Sequence, residues 1–169
     1  SDTFAVIDLG SETTIVNVLK NKIPEFNRVV LKGSSRVDNA ILNELNLGAA
    51  QLVVAEKYKR TYGIVTKRDE NNELEWLSSQ ATRSVMESIS KEIKMCFDFY
   101  INRCGGEKIE NAYLIGGGSQ LKGLKGFFED AFNIPVYPID VLKVKGISFS
   151  TDLDTDKMNY LVNALGASL

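Results

Sequence analysis

The 169-residue chain has no histidine, two cysteines, three prolines and a single tryptophan. Without an imidazole, Ser-His-Asp triads, histidine-based acid–base work and most transition-metal sites are excluded. Cys96 and Cys104 fall in a helical pattern on similar faces but about two turns apart, too far to bridge. They read as reduced, partly buried thiols, which fits a cytoplasmic protein. No apolar run approaches the roughly 20 residues of a membrane helix, and no signal peptide pattern is present. The opening on Ser1 rather than Met is expected of a trimmed piece of a longer chain. A net charge of -2 supplies no basic surface for a nucleic-acid partner.

The remainder is ordinary for a globular protein: 44% hydrophobic and 25% charged residues, enough for one domain, or one domain with a small insertion. The runs "TFAVIDL", "TTIVNVLK" and, after the turn "NKIP", "EFNRVVLKG" alternate in period two and predict an antiparallel three-strand meander. "SRVDNAILNELN" places Val37, Ile41, Leu42 and Leu45 at helical spacing, with Asp38 near its start, and "GAAQLVVAEKYKRTYG" predicts a second helix ending at Gly63. "IVTKRDENNELEWL" is polar and is expected to form a small hairpin or surface loop. A long helix is predicted from about Gln80 to Arg103, with the stripe Ala81, Val85, Ile89, Ile93, Phe97, Tyr100 and Cys104, stopped by Gly105-Gly106. Then "IENAYLIGG" reads as a buried strand, "QLKGLKGFFEDAF" as a helix and "IPVYPI" as a short strand. "STDLDTDKMNYLVNALGASL" reads as a loop and a last helix. The expected fold is α/β, a layered domain with a mixed sheet.

Three features bear chemistry. In "DLGSETT", Gly10 permits close backbone approach and Ser11, Thr13 and Thr14 add hydroxyls that suit phosphate oxygens, while Asp8 suits a water on Mg²⁺. A solvated polar hairpin explains the same residues. In "YLIGGGSQLKGLKGFF", a buried strand runs into Gly116, Gly117, Gly118 and Ser119 and then a helix, which would leave bare backbone and free N–H groups for a flat ligand such as adenine. The spacing matches neither the dinucleotide fingerprint nor a Walker loop, and a tight strand-to-helix turn is the alternative. In "AEKYK", Glu56 and Lys59 share a helix face, as a surface ion pair would. Asp152, Asp154 and Asp156 imitate an EF-hand start, but Lys157 stands where the loop needs glycine and Asn163 where it needs glutamate, so calcium is rejected.

Together these pieces resemble the actin-like ATPase superfamily, shared by actin, sugar kinases and heat-shock 70 proteins. "DLGSETT" is similar to its second phosphate loop, "LIGGGSQLKGL" to its adenosine motif, the "AEKYK" helix to the one touching ribose and adenine, and "NALGASL" to its closing helix. Within it, the "SET" of the loop and the tract from "EIKMCFDFY" to "IPVYPID" resemble the PilM-type family of type IV pilus assembly. Relatives such as FtsA usually carry glycines where Ser11 and Glu12 stand.

The resemblance implies the C-terminal lobe of a bilobed protein, ribonuclease H-like over 1–34 and 78–169, with 35–77 as a small inserted subdomain. It implies ATP or ADP with Mg²⁺ held by Asp8, Gly10, Ser11, Thr13, Thr14, Glu56, Lys59, Gly116, Gly117, Gly118 and Ser119, Asp8 reaching the metal through water. No catalytic residue is implied, and hydrolysis by this piece is not expected. Only one Asp-x-Gly hairpin exists here, so the other lobe of a bilobed protein is expected to be a partner. That lobe would carry the groove for the tail of a PilN-like membrane protein. Self-association is open, and the expected location is cytoplasmic, at the inner face of the membrane through partners. Other readings are half of a sugar-kinase-type phosphotransferase, an FtsA-like division tether, and a scaffold with a dead nucleotide site.

Overall fold

The period-two alternation becomes a sheet with one buried face. In β1 (Thr3–Leu9), Thr3, Ala5, Ile7 and Leu9 are buried and the residues between are partly exposed. β2 (Thr14–Lys20) repeats this with Thr14, Val16 and Val18, and β3 (Ile23–Val30) completes the antiparallel meander. The computed structural model describes residues 2–139 except 104 and 106. The predicted last helix, the acidic run and Cys104 lie outside the described residues.

The meander differs from expectation at its second turn. Asn21 and Lys22 alone make it, both at positive φ (49° and 68°), the backbone that matches the twist of a two-residue hairpin. β3 therefore starts at Ile23 and contains Pro24, tolerated because β3 is an edge strand.

Two helices follow, α1 (Ser35–Glu44) and α2 (Leu52–Tyr62), the latter preceded by a 3-10 turn at Ala49–Gln51. α3 then runs from Glu73 to Arg103, 31 residues, starting seven residues before the predicted Gln80. The stretch expected as hairpin or loop thus supplies its first turn. Asn72 caps it, its side-chain oxygen accepting from the Glu75 N–H at 3.2 Å, with Glu73 and Glu75 favourably placed at the positive helix end. The apolar stripe begins later than the helix, which is why periodicity missed this turn. Ala81, Ile89, Ile93, Phe97 and Tyr100 are buried as predicted, and Val85 packs partly buried against them.

β4 (Asn111–Ile115) inserts parallel to β1, and β5 (Val136–Pro138) parallel to β4. The sheet order is β3-β2-β1-β4-β5, mixed and open. α4 (Leu124–Phe132) begins later than "QLKG" suggested, since Gly117–Gln120 form a 3-10 turn and Leu121 is extended (φ −62°, ψ 123°). The parallel crossovers bring the C-terminal ends of β1 and β4 side by side, where ligands bind in open α/β sheets. One apolar cluster joins the sheet to α3 and α4 and also takes in Val37, Ile41 and Ala55 of α1 and α2.

Candidate functional site

Asp8 and Ile115 are register partners at the ends of β1 and β4, and the loops after both strands open into a cleft of about 840 Å³. Of the residues singled out in the sequence, Asp8, Gly10, Ser11, Glu56, Lys59, Gly116, Gly117 and Gly118 line it. Thr13, Thr14 and Ser119 are not among its lining residues. Thr14 is buried and donates its hydroxyl to the Lys32 carbonyl at 2.8 Å. Ser119 is also buried and donates to the Gly116 carbonyl at 2.7 Å, closing the 3-10 turn.

The hairpin loop is held by backbone. Gly10 N–H donates to Thr13 O at 3.0 Å, and the Ser34 and Ser35 N–H groups donate to the carbonyls of Gly10 and Ser11 at 2.9 Å each. The first turn of α1 therefore meets the loop directly. Side chains at 11 and 12 stay at the surface, in a weak contact with each other at 3.4 Å.

The glycine turn has a packing reason of its own. A Cβ on Gly116 would sit 2.3 Å from Asp8 Oδ1, and one on Gly118 would sit 2.5 Å from Leu9 Cγ. At φ 84°, Gly116 also adopts backbone that side chains disfavour. Bare backbone at 116 and 118 lets the turn lie on β1. It places Gly117 in the cleft wall beside Asp8.

On α2, Glu56 and Lys59 do not pair with each other. Glu56 accepts from Arg60 at 2.8 Å, one helical turn on, and this bond holds its carboxyl below the usual range. Lys59 instead reaches across to Asp38 on α1, Nζ to Oδ2 at 2.8 Å, with side chains 13% and 12% exposed. Burial pushes the Asp38 carboxyl up, against the hydrogen bond from Lys59 that lowers it. Its Oδ1 is buried without a hydrogen-bond partner.

Sequence reasoning passed over Asp38 and Arg60, both of which line the cleft. A carboxylate inside the buried stripe of Val37, Ile41 and Leu42 was the available signal for Asp38. For Arg60 it was the i,i+4 spacing from Glu56.

The residues fit a phosphate-bound magnesium better than a protein cage. No group of three or more metal-ligating His, Cys, Asp or Glu side chains occurs among the described residues. Of the carboxylates lining the cleft, Asp8 at the end of β1 would suit an ion whose other oxygens come from water and ligand phosphates.

An open sheet in this order, helices α1 and α2 after its third strand and a cleft at the β1–β4 end define a lobe of the actin-like fold. The chain belongs to the FtsA family: the family model for cell division protein FtsA matches residues 5–154. Among solved structures it is similar to a PilM–PilN type IV pilus biogenesis complex, at 26% identity and TM-score 0.76 over 97% of this chain and 44% of that one. It is also similar to a non-polymerising MamK mutant bound to AMPPNP, at 19% identity and TM-score 0.61 over 80% of this chain and 49% of that one. The archaeal actin homologue Ta0583 in complex with ADP matches at 16% identity and TM-score 0.59, over 98% and 50% of the two chains. No curated protein matches significantly. The chain thus spans about half the length of these structures. No helix among the described residues is long and apolar enough to cross a membrane.

Proposed function

We propose that the cleft binds an adenine nucleotide, ATP or ADP with Mg²⁺, and that the chain is the nucleotide-binding lobe of a PilM-like scaffold or switch protein. The carrying observation is convergence: three motifs far apart in sequence, at 8–11, 56–59 and 116–118, line one cleft. The Gly10 and Ser11 loop would meet phosphates, Asp8 a metal-bound water, Gly117 the nucleoside, and Glu56 and Lys59 the ribose and adenine. Bound magnesium would offset phosphate charge. Thr13, Thr14 and Ser119 would act by shaping the two loops rather than by touching the ligand. The AMPPNP and ADP in the MamK and Ta0583 structures support this reading.

We assign no catalytic residue and expect no hydrolysis by this lobe alone; of the cleft carboxylates, Glu56 is engaged by Arg60 and Asp38 by Lys59. Residues 35–77 would be the inserted subdomain of the lobe. The likeness to a PilM–PilN complex supports a PilN-like membrane partner, engaged through a second lobe, and a cytoplasmic position beneath the membrane. The test is calorimetric titration of Mg-ATP and Mg-ADP into a two-lobed form, with Gly117→Val as control. Binding lost in the variant at unchanged melting temperature is expected. Absence of binding, or binding that Gly117→Val leaves intact, overturns the site. Binding to this chain alone should be weaker, its ligand being clamped from one side.

The FtsA family match favours a second reading, a division protein tethered to the membrane. Sedimentation of the two-lobed protein with anionic vesicles, without any partner, is its distinguishing result. Phosphoryl transfer to a sugar would instead indicate a kinase.

A further inference from the structure

β3 is the outer strand of the sheet, so one row of its N–H and C=O groups meets no other strand among the described residues. Natural edges are guarded by proline, bulges or charge. Here proline and bulge lie at one end, with Pro24 near the strand start and the register shift opposite Val18 and Leu19 beside it, and Arg28 is the one charge in the stretch beyond them. The stretch from Phe26 to Val30 meets no further strand among the described residues, and beyond it Leu31 is 75% exposed with its carbonyl accepting from the Arg36 guanidinium at 3.0 Å.

Beside it runs a groove of about 390 Å³ between β3 and α3. Phe26, Val30, Met95 and Phe99 give it apolar walls, with Phe26 and Phe99 ring centroids 5.9 Å apart and Met95 61% exposed. Two cations border it. Lys32 is matched by Glu92 at 2.8 Å, whereas Arg28 has no carboxylate within salt-bridge distance among the described residues.

We propose that this groove docks an extended segment of a partner protein, which adds a strand to the free edge of β3. Its groove-facing positions carry apolar side chains and one carboxylate that pairs with Arg28. Main-chain hydrogen bonds along the edge give affinity, and alternate side chains give specificity. The site is separate from the cleft and does not depend on nucleotide binding.

A fluorescein-labelled peptide, Thr-Leu-Thr-Asp-Thr-Leu-Thr, places both leucines and the aspartate on one face. Fluorescence anisotropy with the full 169-residue chain should show saturable binding, about threefold tighter than for the analogue with lysine in place of aspartate, as an exposed ion pair allows. Arg28→Glu should reverse that preference, and Met95→Glu should weaken both peptides about tenfold. Both positions are exposed, so neither variant should disturb folding. Amide exchange at Val29 and Leu31 should slow when the aspartate peptide binds. No saturable binding, equal affinities that Arg28→Glu leaves unchanged, or protection elsewhere would overturn the proposal. Self-pairing of the chain in sedimentation, lost in Met95→Glu, would assign the groove to a second copy and equally overturn it.

Discussion

Lys59 Nζ donates to Asp38 Oδ2 at 2.8 Å, joining α2 to α1 with both side chains largely shielded from water. Breaking such a pair from one side leaves a charge that is largely shielded from water without its partner. Lys59→Met should therefore lower unfolding free energy by about 3 kcal/mol. Adding Asp38→Leu to it should recover much of the loss. Urea denaturation of the two single variants and the double gives the coupling directly, and additive effects would refute it.

The same carboxyl sets a pH dependence. Burial raises Asp38 above its ordinary 3.8, so in acid the folded chain takes up this proton before the unfolded chain does. By linkage, that term favours folding more as pH falls from neutral through the raised value. Wild type should gain stability relative to Asp38→Asn on acidification. Glu56, held low by Arg60, acts oppositely: its small contribution is present above the unfolded carboxyl value and fades as pH falls through the folded one. Urea midpoints of the wild type and of the Asp38→Asn and Glu56→Gln variants, followed from neutral pH down to about pH 3, separate the two.

Glycines in one short region should respond in opposite directions to alanine. Gly116→Ala and Gly118→Ala drive a methyl into Asp8 and Leu9, and each should cost about 2 kcal/mol or more. Gly126, inside α4, has nothing within 4 Å of an added Cβ, so Gly126→Ala should stabilise by about 0.5–1 kcal/mol. Thermal unfolding of the three variants tests the contrast.

Cys96 is buried, and burial pushes its thiol up. Cys96 lines the β3–α3 groove at 7% exposure, so in a Cys104→Ser background it should label with iodoacetamide well below the rate of an exposed thiol. Labelling should accelerate with denaturant, and prompt modification in native buffer would contradict the packing.

The sheet and the cleft differed in how legible they were. Alternation in β1 and β2, the stripe of α3 and the strand before the glycines carry their periods in the chain itself, and each formed where expected. The start of α3 was hidden because its first turn is polar and declared only by Asn72. The candidate site residues were recognisable by type, but their orientation was not. Nothing local distinguishes a threonine whose hydroxyl turns inward to Lys32 from one that faces a cleft. Nor does the spacing of Glu56 and Lys59 reveal that each has a different partner. Asp38 owes its role to a contact across 21 positions, which no window of sequence contains.

The backbone stapling of the hairpin loop bears on how such a loop can diverge. Carbonyls of Gly10 and Ser11 are fixed by N–H groups of 34 and 35, and Gly33 approaches so closely that an added Cβ would lie 2.2 Å from Ser11 O. Shape is thus inherited from main-chain bonds and one bare position, while the outward side chains at 11 and 12 carry none of it. Substitutions there are free to accumulate without reshaping the loop, whereas any side chain at 33 would unseat it.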